Sequence, residues 1–576
     1  MKPVIYQIFV RLFGNKKAGV QIYGTKEENG CGKFDDINND ALHSLKYLGI
    51  THIWYTGVIE HAVAADYSRF GIENDYPEIV KGRAGSPYAI KDYYDVNPDL
   101  ANDVANRMAE FEWLIKRTHA AGMKVIMDFV PNHVARAYRS DTRPLGDPDD
   151  FGINDHGGKA FSIDNDFYYL PGEELKLPQE LYEKATITEY RKNPQKYREF
   201  PARVTGNDCF RADPGSGDWY ETVKLNYGVD YLNGGQKHFS GIPPLWEKMK
   251  SVIIYWAKKK VDGFRVDMAE MVPVEFWAWV IASVKKQHPE LLFIAEIYQP
   301  GMYRDFIETG GFDYLYDKID FYEAARDVIE NKAGTQSFTR CWQRIGDLEK
   351  YMLRFLENHD EQRIASRFFA GDPWKAIPAM VLAATMNSGP LLLYFGQEVG
   401  EPAEGNSGFS GDDGRTSIFD YWGVPNHQKW MSEGEFNGKS LLPHMSALRK
   451  NYAGIIRLCT VYMLFNDKGF YDLMWVNQHL NDQSSARIYA YLRYNDNEKA
   501  IVILNFGNTF ITRTHLFIPD DAFSAMGMSS NLTVTKKIVF PEGNKGSLTG
   551  QANVPGTFFF DISPFTAMVM FLGHCQ

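Results

Sequence analysis

Three acidic residues follow short apolar runs and are placed to do acid–base or nucleophilic chemistry: Asp267, Glu296 and Asp360. Alternate side chains of a strand point to the same face, so Arg265 and Asp267 are expected to share one. A guanidinium beside a carboxylate lowers its pKa and keeps it ionised, as a nucleophile requires. Taken alone, Arg265 and Asp267 are equally explained as a structural ion pair. Three acids that converge are costly as mere packing, because like charges repel, and they indicate a reaction site.

The elements that would position these acids are short strands that alternate with helical patterns. One such helix begins after Pro243 and Pro244 and places an apolar stripe on one side. Eight alternations predict a (β/α)8 TIM barrel in the α/β class, with its active site at the carboxyl ends of the strands. The predicted strands are Val4–Val10, Thr51–Tyr55, Lys124–Phe129, Gly263–Asp267, Leu292–Ile297, Asp313–Tyr316, Met352–Glu357 and Leu391–Phe395.

Two segments lie outside this alternation of strands and helices, one within the barrel sequence and one after it. Residues 134–227, between the third and fourth strands, are rich in Gly, Pro, Asp and aromatic residues and are interpreted as an inserted subdomain. From residue 459 to 576 strands and turns dominate, which predicts a C-terminal antiparallel β-sandwich domain. The catalytic barrel is therefore expected to comprise residues 1–133 and 228–458.

The composition excludes several classes of partner. With 73 acidic and 62 basic residues among 576, the chain has a formal net charge of -11, which disfavours binding to nucleic acid or an anionic membrane. Five widely spaced cysteines fit neither a disulfide framework nor a zinc site. No signal peptide or membrane span is recognisable, so a soluble, cytoplasmic protein with a neutral substrate is predicted.

Five motifs occur in order along the chain and follow the predicted strands: Asp128–His133, Gly263–Asp267, Glu296, Glu357–Asp360 and Gly389–Glu398. This ordered set resembles the α-amylase family of glycoside hydrolases. The resemblance covers nearly the whole chain, and it also explains the insertion and the C-terminal domain. A further stretch, Thr222–Asn226, resembles the Met-Pro-Lys-Leu-Asn signature of the neopullulanase and cyclomaltodextrinase branch.

The resemblance implies a role for each acid. Asp267 matches the nucleophile, Glu296 the general acid and base, and Asp360 a carboxylate that distorts and holds the sugar. A retaining glycosidase of this kind forms a covalent glycosyl-enzyme and places its two principal carboxyl groups about 5–5.5 Å apart. The neighbouring anions are expected to raise the pKa of Glu296, while Arg265 is expected to keep that of Asp267 low.

The same resemblance implies five substrate-binding residues. Tyr88 matches a tyrosine that stacks under the reacting sugar, His133 and His359 match histidines that hydrogen-bond it, and Asp128 matches a residue that supports Arg265. A single histidine at a strand end is more often structural, so these assignments depend on the acids nearby.

No metal or other cofactor is predicted to be required. At the position of Lys224 many family members have an aspartate that binds calcium, and an ammonium group there would replace part of the cation's charge. The family also often has Lys and His three and four residues after the nucleophile, whereas this chain has Glu270 and Met271. Recognition on the leaving-group side is therefore expected to differ.

The sequence as a whole predicts a retaining hydrolase of α-glucosidic bonds, mainly α-1,4, in maltodextrins or cyclodextrins. Two other functions stay open at this point. A transglycosylase or isomerase would form the same glycosyl-enzyme and transfer it to a sugar instead of water. A non-catalytic carbohydrate-binding relative is disfavoured, because all three acids are kept and no membrane span is present.

Overall fold

A closed parallel barrel forms the centre of the protein. The computed structural model describes residues 2–185, 196–467, 469–481, 487–529, 534–541, 548–550 and 556–574. Eight strands in these segments form one parallel sheet, which confirms the predicted TIM barrel. They are β1 (Val4–Phe9), β2 (His52–Thr56), β3 (Lys124–Phe129), β4 (Gly263–Val266), β5 (Leu292–Ala295), β6 (Tyr314–Tyr316), β7 (Met352–Leu353) and β8 (Leu391–Tyr394).

The sheet closes on itself between its last and first strands. β8 pairs with β1 in parallel, and a bridge between Arg354 and Leu391 joins the end of β7 to β8. β7 has two residues where six were predicted, because the chain leaves the ladder after Leu353. Inside the barrel Ile5, Trp54 and Leu392 belong to one apolar cluster, so the barrel is filled by side chains and has no open channel.

Helices surround the barrel and bury one face each against it. The helix Pro244–Lys258 begins at the predicted prolines and buries Leu245, Met249 and Trp256, as its sequence period requires. The helices that follow the strands are Asn39–Leu48, Arg107–Ala120, Pro244–Lys258, Val274–Lys285, Tyr303–Glu308, Glu323–Ile329, Gln336–Ile345, Ile377–Thr385 and Pro443–Thr460. The other α-helices of the described segments are Val10–Phe13, Lys26–Asn29, Gln179–Ala185, Pro425–Met431 and Asp520–Ala525.

The inserted segment leaves the barrel just after β3 and returns beside it. His133–Ala135 pairs antiparallel with Thr222–Lys224, and Tyr169–Leu170 pairs with Ala202–Arg203. The first pairing fixes both ends of the insertion at the barrel mouth, since His133 is four residues beyond the end of β3. A short antiparallel pair, Val229–Asp230 with Gln236–Lys237, leads back to the barrel helix. The predicted domain limits themselves stay predictions.

The C-terminal region contains two antiparallel sheets, as expected of a sandwich. A turn between residues 494 and 499 joins two strands of the larger sheet, where Asn495 N donates to Glu498 O at 2.9 Å. The larger sheet is ordered Gly469–Asp472, Ile488–Tyr494, Lys499–Asn505, Thr566–His574 and Val534–Phe540, and the smaller Ile511–Phe517, Thr557–Ile562 and Leu548–Gly550. In the part of the chain that the structure describes, no helix has both the length and the apolar character needed to cross a membrane.

Candidate active site

The register of three barrel strands sets the height of the acidic groups. Arg265 on β4 lies beside Asp128 on β3, so the two side chains enter the barrel at one level. The ladder continues beyond the strand ends: Asp267 N donates to Phe129 O at 2.9 Å, and Glu296 N donates to Val266 O at 3.1 Å. Backbone hydrogen bonds therefore hold both carboxylates at the carboxyl edge of the sheet.

Arg265 lies at the centre of the acidic cluster and is close to each of its carboxylates. Its Nη1 lies 2.9 Å from Asp267 Oδ1 and 3.4 Å from Asp128 Oδ1. Its Nη2 lies 2.7 Å from Glu296 Oε1 and 4.0 Å from Asp360 Oδ2. One buried guanidinium thus faces four carboxylates, so the cluster as a whole has more negative than positive charge and retains a proton readily.

A cavity of about 290 Å³ lies at this edge of the barrel. Five of the eight predicted site residues line it, whereas Arg265, Asp128 and His359 lie behind its wall. The lining residues are Lys81, Ser86, Tyr88, His133, Trp219, Glu221, Thr222, Asp267, Met268, Glu296, Tyr298, Asp360, Phe409, Ile418 and Phe419.

The electrostatics of Asp267 differ from the prediction. Burial raises the pKa of Asp267 well above its usual range, and Glu296 and Asp360 raise it further, so the lowering effect of Arg265 is outweighed. The expectation that Arg265 keeps this pKa low is therefore wrong for the free protein. The pKa of Asp360, whose side chain is 31% exposed, is lowered instead. Burial raises this pKa, but the opposing effects of His359 and Arg265 are larger. Burial sets the direction of the pKa shift of Asp267 because it penalises the charged form of the carboxyl group.

Glu296 is held by two hydrogen bonds besides its contact with Arg265. Its Oε2 accepts from Met268 N at 2.8 Å, and its Oε1 accepts from Tyr298 OH at 2.5 Å. Met268 has a φ of 43°, in the left-handed region that a residue with a side chain seldom adopts. This strained turn directs its N–H at Glu296, so the carboxyl group is fixed in orientation.

His359 connects three site residues from behind the cavity wall. Its Nε2 contacts the hydroxyl of Tyr88 and lies 3.0 Å from Asp360 Oδ2. Its Nδ1 lies 2.7 Å from Gln7 Nε2 on β1, a partner that the sequence reasoning missed. These contacts orient Tyr88 and Asp360 toward the cavity. Direct contact of His359 with a sugar stays a prediction.

Aromatic residues from distant segments form much of the remaining wall, and the sequence analysis missed them. Trp219 belongs to the insertion and packs on His133 with ring centroids 5.1 Å apart. Phe409 and Phe419 follow β8 and lie 5.1 Å apart, centroid to centroid. Phe409 belongs to a glycine-rich loop, Gly405–Gly414, so this loop contributes to the cavity wall.

Glu270 occupies one of the two positions that depart from the family pattern. Its Oε2 accepts hydrogen bonds from Tyr298 N at 2.9 Å and Gln299 N at 3.1 Å. Glu270 therefore fixes the loop that follows Glu296 and does not line the cavity. On the leaving-group side, this chain therefore has a glutamate that bonds to the local backbone, where the resemblance implies a lysine in many family members.

Lys224 occupies the position at which the sequence resemblance implies a calcium-binding aspartate in many family members. Its Nζ donates to Asn132 Oδ1 at 2.8 Å and lies 2.5 Å from Asp208 Oδ1. The ammonium thus already satisfies the oxygens that a cation would need, and the residues present do not fit a calcium ion at this position. Burial lowers the pKa of Lys224, although Asp208 opposes this effect. That no calcium binds at this position stays a prediction.

Replacing Lys224 by Met should destabilise the protein by about 1–3 kcal/mol, because Asn132 Oδ1 loses its buried donor while the apolar stem is kept. Chemical denaturation monitored by fluorescence measures the free energy of unfolding. Lys237→Met is the control, since its ion pair with Glu275 is exposed and should contribute less than about 1 kcal/mol. Equal stability of the two variants would contradict a structural role for the Lys224 ammonium.

Comparison with known proteins decides the family. The sequence matches the family model described as alpha amylase, catalytic domain, over residues 7–417. The chain belongs to the α-amylase family. This family membership agrees with the ordered motifs and with the position of the three acids at the barrel mouth.

Individual relatives of this α-amylase-family protein are distant. It is 25% identical over 520 residues to Alpha-amylase MalA of Haloarcula japonica, covering 88% of this chain and 55% of that protein, so the chain spans about half the length of this relative. A shorter match, 40% identical over 95 residues, is to an Alpha-1,4-glucan:maltose-1-phosphate maltosyltransferase of Cereibacter sphaeroides and covers 16% of each chain. The noncanonic maltogenic alpha-amylase AmyB of Thermotoga neapolitana has a similar fold, with a TM-score of 0.59, 20% identity and coverage of 100% of this chain and 99% of that one.

Proposed function

We propose that this protein is a retaining glycoside hydrolase that cleaves α-glucosidic bonds, mainly α-1,4, in maltodextrins or cyclodextrins. One observation carries the proposal: Asp267 and Glu296 line the same cavity and contact the two Nη atoms of one buried arginine, at 2.9 and 2.7 Å. Contact with one guanidinium places both carboxyl groups on the same side of the cavity. The proposed covalent intermediate requires a spacing of about 5–5.5 Å between them, whereas an inverting enzyme needs a wider gap that holds a water.

In the first step Asp267 attacks the anomeric carbon while Glu296 protonates the departing glycosidic oxygen. The C1–O bond of the substrate breaks, a C1–O bond to Asp267 forms, and the proton of Glu296 leaves with the released sugar. Burial and the neighbouring carboxylates raise the pKa of Asp267, which favours a proton within this group of acids in the free protein. The first step requires the acid proton on Glu296 and an ionised Asp267.

In the second step water replaces the released sugar. Glu296, now ionised, takes a proton from the water, whose oxygen attacks C1 and displaces Asp267 with overall retention. Asp360 is partly exposed to the cavity and carries negative charge, which stabilises the positive charge that develops on the sugar. Tyr88 provides the flat apolar surface for this sugar.

The compartment is proposed to be the cytoplasm. The cysteines that the structure describes, Cys31, Cys209, Cys341 and Cys459, are all unpaired. Free thiols persist in reducing compartments, which supports this location.

Product analysis tests the proposed function. The protein is incubated separately with maltoheptaose, pullulan and β-cyclodextrin, and the products are separated by size. Shorter sugars alone are expected, with the α-anomer as the first product seen by NMR. Longer sugars would instead indicate transfer to an acceptor, and unchanged substrates would overturn the proposal in favour of a binding protein.

Two substitutions of Tyr88 separate its ring from its hydroxyl. Tyr88→Phe keeps the ring but loses the contact with His359, whereas Tyr88→Ala removes the stacking surface as well. We expect kcat/KM for maltoheptaose to be at least about fivefold lower in the alanine variant than in the phenylalanine variant, because aromatic contact contributes about 1 kcal/mol or more. Equal losses in both variants would show that the ring does not stack on the substrate.

A further inference from the structure

A second carboxylate cluster lies outside the active-site cavity, where the insertion meets the barrel. Glu60 and Asp92 face each other on a two-stranded antiparallel pair, Ile59–His61 with Ile90–Val96. Asp141 reaches them from the inserted segment. One oxygen of each carboxylate lies within 4.8 Å of the oxygens of the other two.

Within the described segments, the buried Oε2 of Glu60 is left without a hydrogen-bond partner. The residue is 2% exposed, and its Oε2 is buried and accepts no hydrogen bond from any described residue. A buried carboxylate oxygen without a hydrogen-bond donor lowers the stability of the fold, because its hydrogen bonds to water are lost and no protein hydrogen bond replaces them. Its carboxylate is directed at Asp92 and Asp141, which are themselves acceptors. The missing partner is therefore a cation or a proton.

The nearest basic residues are already paired with other acids. Lys91 Nζ lies 3.2 Å from Asp75 Oδ2, and Arg107 forms an ion pair with Asp95. Among the residues that the structure describes, no ion pair within 4 Å involves any member of the three-carboxylate cluster. Lys91 and Arg107 still act on the cluster through longer-range charge, but neither forms an ion pair with its carboxylates, which leaves direct coordination to a ligand from solution.

The cluster is also organised in advance of binding. Asp92 Oδ1 accepts from Tyr94 N at 2.8 Å, while its Oδ2 accepts from Asp141 N and Thr142 Oγ1, each at 3.0 Å. These bonds fix the carboxylate of Asp92 and tie the backbone of the insertion to it. Asp141 is exposed, so one side of the cluster is open to water ligands.

We propose that Glu60, Asp92 and Asp141 bind one hard divalent cation, with Ca²⁺ as the expected ion. Calcium takes oxygen ligands at about 2.3–2.6 Å in flexible geometry, so oxygens less than about 5 Å apart reach one ion, and water completes its shell. Carboxylate-only ligands favour such hard cations over zinc or copper. The bound ion joins the barrel to the insertion and has a structural role, independent of the function proposed above.

The alternative is a shared proton. Burial raises the pKa of Glu60 well above its usual range, and the adjacent Asp92 raises it further. In this alternative Glu60 holds a proton in place of a cation, and no ion binds to the cluster.

Isothermal titration calorimetry with CaCl₂ tests the site on the full chain after chelator treatment and desalting. We expect one saturable site per chain and a melting temperature that rises on addition of Ca²⁺. Asp141→Asn should weaken binding by at least about tenfold, because it removes one of three charged ligands at an exposed position that tolerates the change. Glu60→Gln should abolish the calcium-dependent shift in melting temperature.

Asp164→Asn is the matched control, since Asp164 is an exposed aspartate of the same insertion outside the cluster, and its calcium affinity should equal that of the parent. Titration with Mg²⁺ checks ion selectivity and should give weaker binding. No heat and no thermal shift at millimolar Ca²⁺ would overturn the proposal and favour the shared proton. Binding that persists unchanged in both Asp141→Asn and Glu60→Gln would also overturn it, because the ion would then lie elsewhere.

Discussion

Replacing Glu296 by Gln is expected to lower kcat for maltoheptaose by about 10³-fold, since loss of a general acid costs about 10²–10⁴-fold. The substitution keeps the shape of the side chain and can still accept from Met268 N. It removes the proton that the leaving sugar needs. Initial rates of maltoheptaose cleavage measure the effect.

The control is a substrate that needs no acid. With α-maltosyl fluoride, whose leaving group departs without protonation, formation of the glycosyl-enzyme should be close to the parent rate in Glu296→Gln. Hydrolysis of that intermediate should remain slow, because the base is missing, and added azide should restore turnover. Full activity of Glu296→Gln on maltoheptaose would contradict the assignment of Glu296 as acid and base.

Replacing Asp267 by Asn is expected to lower kcat by on the order of 10⁴-fold or more on both substrates, because no covalent intermediate can form. The amide oxygen can still accept from Arg265, so a folded protein is expected. Loss on α-maltosyl fluoride as well distinguishes the nucleophile from the acid. Asp213→Asn, on an exposed aspartate of the insertion, should retain parent activity.

Intact mass spectrometry gives a direct readout of this role. Glu296→Gln mixed with α-maltosyl fluoride should accumulate a species heavier by one maltosyl group, and peptide mapping should place it on Asp267. The double variant with Asp267→Asn should show no such species. An adduct that persists in the double variant, or that maps to Asp360, would refute the assignment of Asp267.

Much of the fold followed from local patterns. All eight barrel strands were predicted within a few residues, because buried parallel strands are short apolar runs separated by helices. The prediction was least accurate at β7, where the chain leaves the ladder after two residues. Hydrophobicity alone does not mark that point, because Phe355 and Leu356 are buried without belonging to the strand.

The site was predictable to the extent that its residues lie within or just after strands. Asp267 and Glu296 could be located because the period of two and the strand ends place them at the barrel mouth. Gln7, Trp219 and Phe409 could not, since each comes from a segment whose contact with the site depends on long-range packing. Tyr298 was within reach of sequence reasoning, being two residues beyond Glu296 on the same chain segment.

Which acids meet, and at which end of the barrel, could be predicted from the sequence, because alternation along a strand and the order of motifs are local properties of the chain. The charge environment and the shape of the cavity depend instead on long-range packing. Burial in three dimensions, and not the neighbouring Arg265, sets the direction of the pKa shift of Asp267. Likewise, the folded insertion brings Trp219 onto His133 and Asp141 beside Glu60, contacts between residues far apart in sequence.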